Sequence, residues 1–164
     1  FCMEKNLDNI HFEVGEIINY QELVRGSDFC ITTSIREGFG MTYMEPWLYE
    51  TPVVGRDIDY ITRDFLQSGI SFPGLYQKID IPDLQSDFKD LDIKDQMYEI
   101  LRIRHEPQHK EKILSANKKL MNLLEETDEH IINTNIQQIV QHYSLKSYGK
   151  KIMDIYQKLS GSSD

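Results

Sequence analysis

Two carboxylates, Glu37 and Glu45, stand eight residues apart in "TSIREGFGMTYMEPWLYETPVVG", with Gly38-Phe39-Gly40 directly after the first. A carboxylate is a strong acceptor for paired sugar hydroxyls. Glycines let backbone N–H groups come close to a ligand, and amides at a helix start favour a phosphate. A phosphate-favouring backbone flanked by two hydroxyl-gripping carboxylates is the composition of a nucleotide-sugar site. The same residues also have a plainer reading. Thr42-x-x-Glu45 matches a capping box, and the two glycines can simply shape a tight turn. On the residues alone both readings stand.

The flanking segments say where such a loop would lie. "NIHFEVGE" alternates with strand period, placing Ile10, Phe12 and Val14 on one face. "NYQELVRGS" reads as a short helix closing near Gly26, and "DFCITTSI" as a strand. "MTYMEPWLYE" has helical length, although Pro46 removes one early helix bond. "TPVVGRD" reads as a third strand opening at Pro52. Strand, helix, strand, helix, strand predicts parallel βαβ units in a Rossmann-like α/β fold. The continuous apolar run of "TPVVG" predicts a sheet covered on both faces. "IREGFG" then lies at a strand's carboxyl end, where open parallel sheets bind ligands.

After Gly55 the pattern changes. "DIDYITRDFLQSGI" predicts a helix ending near Gly69, and "SFPGLYQKIDIP" irregular chain with one short edge strand. From Asp83 onward the chain reads as helical, interrupted at Pro107. Residues 9–82 thus form the α/β part and 83–160 the helical part of one domain spanning 1–160. In the closing segment, Tyr148, Ile152, Ile155, Tyr156 and Leu159 make one apolar face, with Ser144 as N-cap. The run "EETDEH" reads as a solvated helix end or turn.

Composition excludes some classes. Eighteen Lys and Arg against 27 Asp and Glu leave a net charge of −9, which argues against a nucleic-acid partner. Cys2 and Cys30 lack metal-ligand spacing, and Cys30 in "DFCITT" reads as a buried thiol. No apolar run is long enough for a bilayer span, so no transmembrane segment is expected. The chain reads as a soluble, reduced, cytoplasmic domain. His11, His105, His109, His130 and His142 are scattered and read as surface or satisfied core residues, not metal ligands. Trp47 reads as core or rim packing, and Met41, Met44 and Leu48, at helical spacing, read as core. Asp57 and Asp59 read as caps for the helix after Asp59 rather than a metal pair. Arg36 and Arg56 are read as exposed strand-end residues.

"EGFGMTYMEPWLYETPVVG" resembles the E-x7-E segment of retaining glycosyltransferases with the GT-B fold. "NIHFEVGEI…YQELVRGSDFCITTS" is similar to the elements before that motif, and "YSLKSYGKKIMDIYQKL" to the family's closing helix. The resemblance covers most of residues 9–56 and again 143–159. It implies a hexosyltransferase fragment that binds an NDP-sugar donor through the C-terminal Rossmann-like domain and transfers the sugar with retention. By that resemblance Glu37 is catalytic, contacting the transferred sugar. Glu45 holds the ribose, Gly38, Phe39, Gly40, Met41 and Thr42 line the sugar and diphosphate, and Gly15, Glu16 and Ile17 border the base. No metal and no cofactor beyond the donor are expected.

The sequence departs from the family where an N-terminal acceptor domain, and an Arg and a Lys that clamp the diphosphate, would precede it. Pro46 after Glu45 and "GRDID" after the third strand are further departures. The fragment is therefore expected to be inactive alone. The alternative is a non-catalytic sugar-nucleotide-like binding or regulatory module. The partner of the closing helix would be the chain's own N-terminal domain. Without it, either a homodimer of the fragment or a poorly ordered end after Ser144 is expected.

Overall fold

β-branched and apolar residues nucleate the sheet. The computed structural model describes residue 11 and residues 14–123 and 127–160. In it β1 (Cys30–Thr32), β2 (Val53–Arg56) and β3 (Leu75–Tyr76) run parallel in the order β1-β2-β3. Cys30 pairs with Val53, Thr32 with Gly55, and Gly55 in turn with Leu75. Helix α1 (Tyr20–Arg25) precedes β1, α2 (Met41–Met44) lies between β1 and β2, and α3 (Asp59–Gln67) joins β2 to β3. The expected α/β alternation is present. Asn19 caps α1 by accepting the Glu22 N–H at 2.9 Å, and Gly26 closes the helix.

The helix expected over "MTYMEPWLYE" is only one α-turn long. At Glu45 it tightens into a 3₁₀ segment, Glu45–Tyr49, with Pro46 in its first turn. Proline offers no N–H to the preceding turn and clashes with a continuing α-helix. Cover on both faces is real at β2, where all four residues are buried, but not at β1, where Ile31 is 64% exposed.

Phe72 is the hub of the core. Tyr43, Trp47 and Phe65 set their rings around it at centroid distances of 6.2, 6.3 and 6.2 Å. Such edge-on and tilted contacts add to the burial of large rings. Ile61, Ile70, Val53 and Leu75 fill the remainder, and Ile139 brings α7 (Glu129–Tyr143) onto the cluster. Asn135 on α7 is fully buried and makes both hydrogen bonds a strand neighbour would make. Its Oδ1 accepts the Ser71 N–H at 2.8 Å and its Nδ2 donates to the Ser71 carbonyl at 2.7 Å. The pair satisfies backbone groups that the short β3 leaves over.

Three sequence expectations need correction or fall outside the description. Ile10 and Phe12 of the expected first strand lie outside the described residues, and Val14 opens a 3₁₀ turn, Val14–Glu16, rather than ending a strand. The α/β part extends past residue 82, because β4 (Asp80–Ile81) and β5 (Ser86–Asp87) form an antiparallel hairpin. A single turn allows this, with Gln85 at φ 49°.

The helical part follows as α4 (Ile93–His105), α5 (Pro107–Ala116), α6 (Lys118–Met121), α7 and α8 (Leu145–Ser160). Pro107 does separate α4 from α5, occupying a first-turn position where its missing N–H costs nothing. Asp128 caps α7, taking the His130 N–H at 2.7 Å, which places part of "EETDEH" at a helix start. Ser144 caps α8, accepting the Ser147 N–H at 3.2 Å. No helix among the described residues is long and apolar enough to cross a membrane.

Candidate functional site

The segments leaving the carboxyl ends of the three parallel strands are Thr33–Gly40, Asp57–Ile58 and Gln77–Ile79. Glu37 lies in the first, as expected. Its carboxylate turns back on its own loop: Oε1 accepts the Gly38 N–H at 2.9 Å and Oε2 accepts the Thr42 hydroxyl at 3.2 Å. The Gly38 N–H above all, helped by the Phe39 and Gly40 amides and the Thr42 hydroxyl, holds the Glu37 carboxyl below its ordinary range. The Gly38–Gly40 amides and the Thr42 hydroxyl thus gather around an anion that the chain itself supplies.

Gly40 makes this geometry possible. It sits at φ 71°, where only glycine is unstrained, and a Cβ there would lie 2.6 Å from Ile61. The loop is pinned from the neighbouring connection. The Tyr60 hydroxyl accepts the Glu37 N–H and donates to the Glu37 carbonyl, both at 3.0 Å. Phe39 between the two glycines is 88% exposed.

Glu45 is not a capping-box residue. It is the C-cap of α2 and opens the 3₁₀ segment, while Gly40 occupies the N-cap. No side chain caps the start of α2; Glu37, eight residues before Glu45, bonds the amide and hydroxyl of its own loop instead. Glu45 is half-buried and its carboxylate takes no hydrogen bond among the described residues. It faces α1. The Tyr20 hydroxyl is pushed up in pKa by burial first and by the nearby Glu45 charge second. The expected macrodipole at this loop is weaker than foreseen, because a one-turn helix aligns few peptide groups.

Arg56 corrects a second expectation. It is 6% exposed and not a solvent-facing strand end. Its guanidinium forms a two-pronged pair with Asp87, each prong 2.8 Å, donates to the Gln77 carbonyl, and lies over the Tyr76 ring at 5.4 Å. The fork matches the carboxylate geometry and ties β2 and β3 to the hairpin. Burial raises the Asp87 carboxyl, but the Arg56 hydrogen bonds and the Ile79 and Lys89 N–H groups outweigh it and leave it below the ordinary range. Tyr43 closes the corner: its hydroxyl donates to the Arg56 carbonyl at 2.7 Å, and its pKa is pushed up to about 12, chiefly by burial.

The other expected donor contacts are spread out. Gly15 and Glu16 lie in the 3₁₀ turn ahead of α1 and Ile17 directly follows it, all three exposed. Met41 is 54% and Leu48 45% exposed rather than core, since the change to 3₁₀ winding breaks the common face; Met44 and Trp47 are buried. Arg36 is exposed as expected. Cys30 is half-buried, not fully buried, because it belongs to the open β1; burial still raises its thiol pKa.

Asp57 accepts from the Thr62 hydroxyl and Asp59 pairs with Arg63, so neither caps a backbone N–H of α3. His109 is buried against Glu99, at 2.7 Å, while His11, His105 and His130 are exposed. No group of three metal-ligating side chains occurs among the described residues.

Sequence reasoning missed Tyr60 and Asp87. Tyr60 carried a signal only in retrospect, as a tyrosine in the first turn of a helix beside the glycine loop. Asp87 carried none, since it meets Arg56 from 31 positions away. A cleft of about 510 Å³ opens at the other edge of the sheet, lined by Asp28, Phe29, Glu50, Pro52 and Gly74 among others. It lies at the amino ends of the strands and offers two carboxylates and no cation, the wrong chemistry for a phosphate. The carboxyl edge, with its gathered amides, is the better candidate. Comparison of the chain with protein-family models, with curated proteins and with solved structures finds no match, so the site is read from its residues and geometry.

Proposed function

We propose that this chain is the nucleotide-sugar-binding part of a retaining glycosyltransferase, with its donor laid across the carboxyl edge of the parallel sheet. The observation that carries the reading is the Glu37 loop. Its amides and the Thr42 hydroxyl already converge on a carboxylate, and the same donors suit the oxygens of a diphosphate or sugar. Glu45, half-buried and accepting no hydrogen bond among the described residues, takes the ribose hydroxyls. When the donor binds, Glu37 leaves its own amides and grips the sugar hydroxyls, and the vacated N–H groups receive the ligand. The bond broken joins the anomeric carbon to the diphosphate oxygen. The bond formed joins that carbon to the acceptor oxygen on the same face, and the acceptor proton passes to the departing phosphate. Fixed amide donors at the leaving oxygens lower the barrier.

A second reading, a sugar-nucleotide-like binding or regulatory module, draws on Arg56. A cation at the carboxyl edge would serve a leaving diphosphate, and this one is consumed by Asp87 and Gln77. Titration calorimetry of UDP, GDP and ADP against the chain and its Glu45→Ala variant tests the shared core of both readings. Binding that Glu45→Ala weakens at unchanged stability supports a ribose contact. Unchanged affinity with lowered stability assigns Glu45 to structure alone. Turnover, measured on a chain that includes an acceptor domain, separates the two readings.

A further inference from the structure

Helix α4 is turned inside out. Glu99 is its one buried residue, met at 2.7 Å by the His109 ring and at 3.1 Å by the Arg102 guanidinium. Its apolar residues face the other way: Ile93, Met97 and Ile100 are 74, 38 and 42% exposed. With about 100° between successive helical positions, these three and Arg104 fall within roughly 60° of one another, a stripe along the helix. Where α4 meets α5, the end of that stripe runs into a groove of about 550 Å³ lined by Ile100, Ile103, Arg104, Pro107 and Lys110. A surface helix ordinarily turns its apolar stripe to the core, and one left outside marks an interaction surface.

We propose that the occupant of this surface is a second copy of the chain, the two α4 helices lying antiparallel across a two-fold axis. The spacing of the stripe carries the argument. An axis that sets Met97 opposite the partner's Ile100 also sets Ile93 opposite the partner's Arg104, because both pairs share one midpoint on the helix. Ile93, the most exposed of the three, then enters the groove on the other copy, and the partner's Ile93 enters the groove on the first. Knob and hole belong to one surface, which is what an isologous interface requires. The charges obey the same symmetry. With every Asp, Glu, Lys and Arg counted, residues 90–95 are net negative and residues 102–110 net positive. Antiparallel packing therefore sets each end of α4 against the opposite sign, and the helix dipoles agree with it.

Light scattering of the whole chain across a concentration series tests this. The parent should pass from monomer to dimer as concentration rises. Met97→Lys, which sets like charges across the axis, should stay monomeric. Met97→Glu should do the same, and an equimolar mixture of the two variants should dimerise. Ile93→Ala, which empties both grooves, should raise the dissociation constant at least about ten-fold. Because Met97 and Ile93 are exposed, these variants keep the fold, which circular dichroism checks. A parent that is monomeric at every concentration overturns the proposal. So does a dimer that both Met97 variants leave intact, or one that Ile155→Ser on α8 dissolves and Met97→Lys does not.

Discussion

Glu37 and Arg56 both stand where a parallel strand ends, and the structure treats them in opposite ways. Arg56 is buried, forked onto Asp87 and stacked on Tyr76. Glu37 sits in an exposed glycine loop and satisfies itself with its own amides. The first arrangement has no slack: a guanidinium out of water needs every one of its partners. The second can open at small cost, because solvent can replace each bond it gives up. A charge at a strand end is therefore a functional candidate only when its bonds are local and reversible. That distinction separates the corner that builds the fold from the loop proposed to bind.

Breaking the rigid corner has the largest expected effect. Arg56→Ala strips the partly buried Asp87 of its ion-pair partner, leaving it only the Ile79 and Lys89 N–H groups, and should cost about 3 kcal/mol, read as a lowered urea midpoint. Replacing both partners together, Arg56→Met with Asp87→Leu, should recover most of that loss, because two apolar groups leave no stranded charge. A double variant as unstable as Arg56→Ala would show that the fork does more than satisfy itself.

The corner should also yield to acid. The folded Asp87 carboxyl lies below its unfolded value of about 3.9. Its contribution is complete above that value and is lost as pH falls through the folded one. A pH series of melts should show a steeper acid loss in the parent chain than in the Arg56→Met, Asp87→Leu variant, which keeps the share of the other lowered carboxyls, Glu37 and Asp83.

The loop end of the comparison is sharpened by Gly40→Ala. Positive φ and the approach to Ile61 and Phe65 make this an overpacking change of about 1–3 kcal/mol, and it should also displace the amides around Glu37. Loss of stability without any change in nucleotide affinity would separate the loop from binding.

How much of this was legible follows from how local each signal is. Helix α1, α3 and α8 were readable because Asn19, Gly26, Gly69 and Ser144 mark their ends within a few residues. The parallel sheet was readable because "CIT" and "VVG" are short apolar runs at βαβ spacing. The brevity of α2 was half-visible in Pro46. The burial of Arg56 was not visible, since what decides it is a carboxylate 31 residues away. Glu37 was seen as a ligand-facing acid, but not the bonds it makes to its own loop; the Thr42–Glu45 capping box fails because α2 starts after Gly40 and gives way to 3₁₀ winding at Glu45.

Two smaller effects bear on chemistry rather than fold. In a chain that includes an acceptor domain, Glu37→Ala should lower turnover about 10–100-fold, the worth of a charged hydrogen bond that strengthens in the transition state. Nucleotide affinity should change far less, and equal losses in both would remove the assigned role. Glu45→Ala should move stability by less than about 0.5 kcal/mol, as for a side chain with no hydrogen bond to lose, so any drop in nucleotide affinity is a lost contact.

The central claim is that the carboxyl edge of the sheet, and not the cleft at its amino edge, receives a nucleoside diphosphate. Amide chemical-shift mapping during titration with UDP, GDP and ADP tests it most directly. The account predicts that one of them shifts the amides of Gly38, Phe39, Gly40 and Thr42 together with Glu45, and that the Glu45 response is lost in Glu45→Ala. Shifts confined to Asp28, Phe29, Glu50 and Gly74, or none at millimolar nucleotide, would contradict it.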